Sequence, residues 1–274
     1  MLIECDGPRS APDRDLRGAR LGALFCVALG LCACGSKPVD LGPDPQVLWW
    51  TDYETADFSD WTRDGRGSTW VAAGGSVEVA SDYARSGTHS MRSVVVSPGL
   101  GTQSSGMARR SDGLPAEAYY SAWFYVPAPI TATDYWLFSK FRSRTVASDP
   151  NTFVDVWDID IRVQEGAMHF ALYHHDSGDE QALVTPLVPV GRWFQLEAFM
   201  RPTPDASGRL SVWIDGTLLF DLVDTPTMPT TYVEWSGGAV AETVTPPRVT
   251  LYVDDAAIST RRLGPEFPVF WRGE

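Results

Sequence analysis

Apolar and polar residues alternate at a spacing of two along much of this 274-residue chain, and this pattern constrains the fold most strongly. In the segment 193–201 one face is apolar, formed by Phe194, Leu196, Ala198 and Met200. The opposite face carries Gln195, Glu197 and Arg201. Successive side chains of a β-strand point to opposite sides, so the pattern predicts a strand buried on one face.

Other segments repeat the alternation. Residues 156–163 set Trp157, Ile159 and Ile161 against Asp158, Asp160 and Arg162, and residues 249–259 behave similarly. Around Asp215-Gly216 the apolar positions alternate on both sides, which predicts a hairpin with a two-residue turn. No stretch sustains a 3.6-residue apolar period for three turns, and Pro and Gly recur every ten to fifteen residues. We therefore predict an all-β fold, an antiparallel two-sheet β-sandwich.

The N-terminus has the pattern of an export signal. Arg14, Arg17 and Arg20 precede the apolar run 21–33, which is too short to span a bilayer as a helix. The run ends in Leu-Cys-Ala-Cys-Gly-Ser at 31–36, which resembles the bacterial lipobox and implies lipidation of Cys34. The alternatives are a cleavable signal without a lipid, or a buried helix.

These features divide the chain into four parts. A lipoprotein signal peptide covers residues 1–33, and a lipidated Pro-rich tether covers 34–46. The sandwich domain extends over 47–264, and a short C-terminal tail covers 265–274. All four Cys lie at or before position 34, so the mature domain depends on buried area rather than disulfides.

The net charge of −13 bears on the partners. The signal contains four basic and four acidic residues, so its removal leaves this charge unchanged. An acidic surface argues against nucleic acid and against an anionic membrane as partners. We expect a monomer in the bacterial cell envelope, periplasmic or at the surface, held at a membrane through its lipid only.

The motifs resemble a known superfamily. The opening segments 52–61 (DYETADFSDW) and 85–90 (RSGTHS) are followed by GRWFQLE at 191–197, GRLSVWIDG at 208–216 and LYVDDA at 251–256. This order is similar to that of the concanavalin A-like lectin/glucanase superfamily, and closest to heparin-lyase-like polysaccharide lyases and laminin-G-like domains. The resemblance implies a jelly-roll sandwich and a polysaccharide or oligosaccharide partner. No organic cofactor is expected.

Lyases of this fold remove the proton α to a uronate carboxylate with a His, Tyr or Lys base, and a second Tyr or Lys often acts as acid. If a strand covers 169–175, Tyr173 and His175 project from the same face. Lys140 and Arg142 could neutralise the carboxylate. The alternative is that His174-His175 is a strand end that leads into the polar loop 176–180.

A retaining glucanase is a further alternative. It requires two glutamates on one strand face, one as nucleophile and one as proton donor. The most similar strand carries Asp155, Asp158 and Asp160 but no Glu, which argues against this chemistry.

The resemblance also implies a structural calcium ion where the first and last strands meet. It would be held by Glu54 and Asp255, with Asp52 or Asp254. Carboxylate oxygens suit this ion. The alternative is that Asp254-Asp255 only ends a strand.

Sugar binding without chemistry needs aromatic faces and polar groups on an open surface. Residues at non-core positions could together form one concave polar face, and they are Asp158, Asp160, Arg162, Gln195, Glu197, Trp213 and Tyr252. The leading hypothesis is an exported lipoprotein that binds carbohydrate through this face. The alternatives are a polysaccharide lyase that acts by β-elimination and a non-catalytic structural envelope protein.

Overall fold

The computed structural model describes residues 47–97, 102–112, 115–133 and 135–267. The predicted signal peptide, Cys34, the tether and most of the predicted C-terminal tail lie outside the described residues. Among the described residues, no helix has the length and apolar character needed to cross a bilayer.

Two large antiparallel sheets make up the domain. We call one the back sheet; in spatial order it contains β14 (Thr217–Val223), β13 (Arg209–Ile214), β12 (Trp193–Arg201), β6 (Ala118–Tyr125), β17 (Arg248–Ser259), β4 (Ser90–Val96) and β3 (Ser76–Ala80), and β1 (Val47–Thr51) also pairs with β17. We call the other the groove sheet; it contains β11 (Glu180–Leu187), β10 (Ala167–His174), β9 (Phe153–Gln164), β8 (Trp136–Arg144), β15 (Val233–Ala241), β5 (Ser104–Asp112) and β2 (Gly67–Ala72).

Little else is regular. The short strands β7 (Ala132–Thr133) and β16 (Val244–Thr245) pair with each other, and the one helix of the described residues, α1, covers Ser59–Thr62. The predicted fold class is therefore confirmed: the domain is an antiparallel β-sandwich of the jelly-roll kind.

The core lies between the two sheets and is rich in aromatic rings. Phe124 of the back sheet contacts Phe138 of the groove sheet with ring centroids 5.1 Å apart. Phe194 of the back sheet lies 5.7 Å from Phe170 of the groove sheet. All four rings are fully buried. Burial of such large apolar faces favours folding because it removes apolar area from water.

The predicted alternation in β9 sets the orientation of the groove sheet. Ile159 and Ile161 are fully buried in the core, as the sequence pattern indicates. Asp158 and Asp160 therefore point to the opposite face of the same sheet. Burial of the two isoleucines thus determines that the two aspartates lie on the outer face of the sheet.

The predicted hairpin is also confirmed. Asp215 and Gly216 connect β13 to β14 with φ angles of 47° and 78°. Leu218 is one of the apolar positions that alternate after the turn and would be expected to face the core, but it is 48% exposed. The reason is a β-bulge between Val212 and Trp213, which shifts the register of the hairpin next to the turn.

Replacement of Gly216 tests the turn. An alanine at this position would have to adopt the left-handed backbone conformation, which is strained for any residue with a Cβ. Gly216→Ala should therefore lower the free energy of unfolding by about 1 kcal/mol. Urea denaturation monitored by fluorescence measures the change. The exposed neighbour Thr217→Ala serves as the control and should change stability by less than about 0.5 kcal/mol. Equal effects of the two variants would contradict the turn geometry.

Candidate functional site

Two adjoining cavities open on the outer face of the groove sheet. The first encloses about 340 Å³ and is lined by Trp70, Gln103, Met107, Arg109, Lys140, Arg142, Asp155, Glu234 and Ser236. The second encloses about 330 Å³ and is lined by Gln103, Tyr135, Leu137, Lys140, Asp155, Asp158, Asp160, Arg162, Tyr173, His175 and Val240. Three residues line both cavities, so we treat them as one groove.

Strand pairing brings the polar residues of the second cavity together. Asp158 of β9 lies opposite Lys140 of β8 on one side and opposite Tyr173 of β10 on the other. Directly opposed side chains on one face of an antiparallel pair lie about 5 Å apart at Cβ. The three central strands therefore gather a carboxylate, an amine and a phenol at one place.

A second carboxylate joins this group because of a β-bulge. Both Val156 and Trp157 pack in the core, and the register between β8 and β9 shifts at this point. Asp155 and Asp158, three residues apart, consequently line the same cavity. Strict alternation would have placed them on opposite faces.

These groups form a dense network of ion pairs. Lys140 Nζ lies 3.2 Å from Asp155 Oδ1 and 3.9 Å from Asp158 Oδ1. Arg142 contacts Asp155 at 2.9 Å through Nε and Glu234 at 3.0 Å through Nη1. Lys140 and Arg142 lower the pKa of Asp155 against the effect of burial, so this carboxyl is held in its charged form.

His175 is oriented by Asp158. The two atoms His175 Nε2 and Asp158 Oδ2 lie 2.8 Å apart, and a carboxylate can only accept, so the imidazole Nε2–H donates. This hydrogen bond raises the pKa of His175 above its ordinary 6.5. The Tyr173 ring lies edge-on to the imidazole with centroids 5.1 Å apart. About 32% of the His175 side chain is exposed, so a ligand in the groove can reach it.

Asp160 is the most strongly perturbed acid of the groove. Burial and the neighbouring Asp158 carboxylate raise its pKa to about 7, although Arg162 Nη2 lies 2.9 Å from its Oδ2. Arg162 also donates from Nε to Glu180 at 2.7 Å. Within the described residues, the Oδ1 atoms of Asp158 and Asp160 are buried and have no hydrogen-bond donor.

The groove also contains an apolar cluster next to its charged residues. Met107, Leu137 and Val240 are buried on the groove face, and the half-buried Trp70 and Tyr135 pack against them. Gly238 on β15 has a φ of 136°, and a Cβ there would come within 2.4 Å of the Gly106 carbonyl oxygen. Only glycine therefore allows β15 to lie this close to β5 below the cluster.

The structure separates the sugar-binding residues expected from sequence into two sets. Asp158, Asp160 and Arg162 line the groove, but Gln195, Glu197 and Trp213 lie on β12 and β13 of the back sheet, as does Tyr252 on β17. The expectation that all of them share one face was wrong. Parity along a strand shows which residues avoid the core, but it does not show to which sheet the strand belongs.

The back-sheet residues also have partners of their own. Gln195 Nε2 donates to Ser121 Oγ at 2.9 Å. The Glu197 carboxylate accepts from Arg262 Nε at 2.9 Å and from the Leu263 amide at 2.6 Å. The Arg262 guanidinium lies 4.4 Å from the centre of the Trp213 ring. These residues hold the segment that follows β17 against the back sheet.

The two adjacent histidines have different surroundings. β10 ends at His174, and the predicted polar loop follows. The His174 ring stacks on Trp157 with centroids 4.2 Å apart, and its Nδ1 lies 3.0 Å from Ser177 Oγ. Burial lowers the pKa of His174, whereas that of His175 is raised. Only His175 of this pair lines the groove.

The residues expected to hold calcium already have protein partners. Glu54 accepts from the backbone amides of Thr88 and His89. Asp255 accepts from Arg85 at 2.6 Å and from Ser86 at 2.9 Å. No three His, Cys, Asp or Glu side chains of the described ranges are arranged as a metal site.

The charged form of the neighbouring Asp254 carboxyl is nevertheless disfavoured. Burial and Asp255 raise the pKa of Asp254 to about 8. A cation near Asp254 and Asp255 would relieve the repulsion between these two carboxyls, whereas Glu54 already accepts from two backbone amides and from the Thr88 hydroxyl. Calcium binding stays a prediction.

Sequence reasoning missed part of the groove. The polar and aromatic lining residues that it did not single out are Trp70, Gln103, Arg109, Tyr135, Glu234 and Ser236. Trp70 and Arg109 come from β2 and β5, and the pairing of these distant segments has no local signal.

No family model and no curated protein matches the sequence. Solved structures do match. An endo-β-1,4-glucuronan lyase from the fungus Trichoderma reesei superposes with a TM-score of 0.58 at 14% identity, covering 78% of this chain and 96% of the lyase. The cellulose-induced protein Cip1 gives 0.56 at 16% identity, with 78% and 98% covered. Alginate lyase vAL-1 from Chlorella virus gives 0.52 at 12% identity, with 78% and 100% covered. At these identities the likeness shows the fold alone.

Asp160 offers a test of the groove electrostatics. Its pKa in the folded protein lies above the ordinary 3.8, so the native state binds this proton more tightly than the unfolded chain. The stability that it contributes is present at low pH and is lost as the pH rises from about 4 to about 7. Asp160→Asn should therefore gain stability relative to the wild type, by more than about 1 kcal/mol, between pH 5 and pH 8.

Chemical denaturation at both pH values measures this difference. The loop variant Asp176→Asn is the control and should follow the wild type at both. A constant difference between Asp160→Asn and the wild type would show that the Asp160 carboxyl does not titrate in this range.

Proposed function

We propose that this protein is a polysaccharide lyase that cleaves uronate-containing glycans by β-elimination in the groove. The observation that supports this most is the meeting of His175, Tyr173 and Lys140 in one cavity, with His175 hydrogen-bonded to Asp158. An acid, a base and a cation are the three groups that this reaction needs. The structural likeness to glucuronan and alginate lyases adds weight to the proposal.

The hydrogen bond to Asp158 suits His175 to the role of base. With the proton on Nε2 donated to Asp158, the neutral imidazole keeps the lone pair of Nδ1 for a substrate proton. The raised pKa makes the imidazole a stronger base. Asp158 is a positioning residue in this scheme, because it holds the tautomer and stabilises the imidazolium that forms.

The proposed reaction is a single elimination that breaks the glycosidic bond at C4. His175 Nδ1 takes the proton from C5 of a uronate unit, and the electrons of that C–H bond form a C4–C5 double bond. The bond between C4 and the glycosidic oxygen breaks, and the Tyr173 hydroxyl gives its proton to that oxygen. The products are an unsaturated uronate at the new non-reducing end and a free hydroxyl on the leaving chain.

Negative charge develops on the uronate carboxylate during this step. Lys140 stabilises it in this proposal, with Arg142 alongside, since preorganised cations act most strongly in a site with little water. The Oδ1 atoms of Asp158 and Asp160, to which no described residue donates a hydrogen bond, would accept hydrogen bonds from sugar hydroxyls.

Binding without cleavage is the second candidate. It is favoured by the pairing of Lys140, Arg142 and Arg162 with carboxylates of the protein. A substrate carboxylate has to compete with these partners, and a groove of compensated charge suits a sugar ligand that is held but not activated. The same groove residues would then be ligands only.

We further propose that the domain acts in the bacterial cell envelope, held by a lipid on Cys34. The basis is the sequence of the first 36 residues, with its basic start, apolar run and lipobox-like end. A glycan-degrading domain on a short Pro-rich tether would work on polymers close to the membrane surface.

His175→Ala tests the reaction. Incubation with glucuronan, polymannuronate and polyguluronate, followed by ultraviolet absorbance of the unsaturated product, should show activity for the wild type. The variant should lose it by about 100-fold or more, because the base is absent. His174→Ala is the matched control, since its ring stacks on Trp157 outside the groove, and it should keep most of the activity.

The outcomes separate the candidates. Loss in both variants would point to a structural effect of the loop rather than to a base. Absence of product from the wild type on all uronate polymers, together with retention on a glycan affinity gel, would replace the lyase by the binding candidate.

The pH profile gives an independent test of the Asp158–His175 pair. The base acts in its neutral form, so kcat/KM should rise with pH, with a midpoint above the ordinary histidine value of 6.5. Asp158→Asn removes the carboxylate that stabilises the imidazolium, so the midpoint should move to lower pH. An unchanged midpoint in Asp158→Asn would exclude His175 as the titrating base.

A further inference from the structure

Arg109 differs from the other cations of the groove. Lys140, Arg142 and Arg162 each lie within 4 Å of a carboxylate of the protein. Arg109 lines the first cavity, and its contact among the described residues is a hydrogen bond from Nε to Ser68 Oγ at 3.0 Å. Its guanidinium therefore makes no ion pair within 4 Å with a carboxylate of the described residues.

The position of Arg109 is fixed by strand pairing. Arg109 of β5 lies opposite Ser68 of β2, and Met107 lies opposite Trp70. Residues two apart share a face, so Arg109 and Trp70 are diagonal neighbours on the groove side. The serine holds Nε and leaves the two terminal nitrogens of the guanidinium for a ligand.

Trp70 supplies a complementary surface. It is half-buried and packs on the apolar cluster of Met107, Leu137 and Val240, which keeps its ring in place. A fixed, partly exposed indole presents an apolar face to the C–H surface of a pyranose ring. A guanidinium beside it matches a carboxylate with two parallel hydrogen bonds.

Arg109 lies far from the proposed catalytic residues along the groove. From β5 to β10 the groove sheet steps over four interstrand spacings of about 4.8 Å, roughly 19 Å. This exceeds the size of one sugar unit, while Gln103, Lys140 and Asp155 make the two cavities continuous. One glycan chain can thus occupy both ends of the groove.

We propose that Trp70 and Arg109 form a second sugar subsite that binds an acidic unit of the same chain, several units away from the cleaved bond. Trp70 stacks on the ring, and Arg109 binds the carboxylate. The subsite selects acidic polymers over neutral glycans and long chains over disaccharides. It rests on the proposed function only in that the groove holds glycan, and it stands whether or not the bond is cut.

Binding measurements in the His175→Ala background test this without turnover. The probes are glucuronate and mannuronate oligomers of two and six units, with neutral cellohexaose for comparison. Arg109→Gln should weaken binding of an acidic hexamer about tenfold or more, because a charge-assisted hydrogen bond is lost. Binding of the acidic dimer and of cellohexaose should change by less than about twofold. Arg109→Lys should recover part of the loss.

Trp70→Ala should weaken both hexamers, acidic and neutral, because stacking on the ring does not need charge. Arg201→Gln, an exposed arginine of the back sheet, is the control and should bind as the parent does. Melting temperatures of all variants check that they are folded.

Three results would overturn the subsite: an unchanged hexamer affinity in Arg109→Gln, an equal loss for dimer and hexamer, or no affinity of the parent for either acidic oligomer. Failure of the lyase proposal looks different, because the wild type would then bind acidic hexamers through Arg109 and release no unsaturated product.

Discussion

The packing of the two sheets against each other is the constraint on which the groove depends. Ile159 and Ile161 of β9 are buried between the sheets. On the flanking strands, Phe141 and Phe170 contact rings of the back sheet. Because side chains alternate, the same strands have to direct Asp158, Lys140 and Tyr173 away from the core. A one-residue slip of register would bury these charges and expose the apolar row.

Electrostatics in the groove is a balance between burial and pairing. Carboxylates that face a cation keep their charge, as the lowered pKa of Asp155 shows. Asp160 is more deeply buried and lies next to another acid, so its pKa rises in spite of Arg162. The same neighbour, Asp158, raises the pKa of His175. Asp158 thus raises the pKa of both Asp160 and His175, because it repels the negative charge of the former and attracts the positive charge of the latter.

Much of the fold could be predicted from the sequence because its signals are local. The alternation in β12 and β9 and the Asp215-Gly216 turn identify strands, faces and one hairpin. Tyr173 and His175 could be assigned to one face for the same reason. Sheet membership could not, since it depends on pairing between distant segments. The expectation that Gln195, Glu197 and Trp213 share one face with Asp158, Asp160 and Arg162 was therefore wrong. The latter three lie in the groove and the former three on the back sheet.

The bulges explain the remaining differences. In β9 a bulge sends Val156 and Trp157 both into the core and brings Asp155 beside Lys140. In the hairpin of β13 and β14, a second bulge leaves Leu218 exposed. A bulge inserts one extra residue into a strand and needs no characteristic residue type, so a sequence pattern of strict alternation does not reveal it. The proximity of Arg109 to Trp70 could not be predicted for a related reason, because it depends on the pairing of β2 with β5.

In the function that we propose, glycan binds on the outer face of the groove sheet, with a uronate unit next to His175. A crystal structure of His175→Ala soaked with an acidic hexasaccharide tests it most directly. We expect a sugar chain that crosses from β10 to β5, with one carboxylate near Lys140. A chain bound instead on the back sheet, around Gln195 and Trp213, would contradict it.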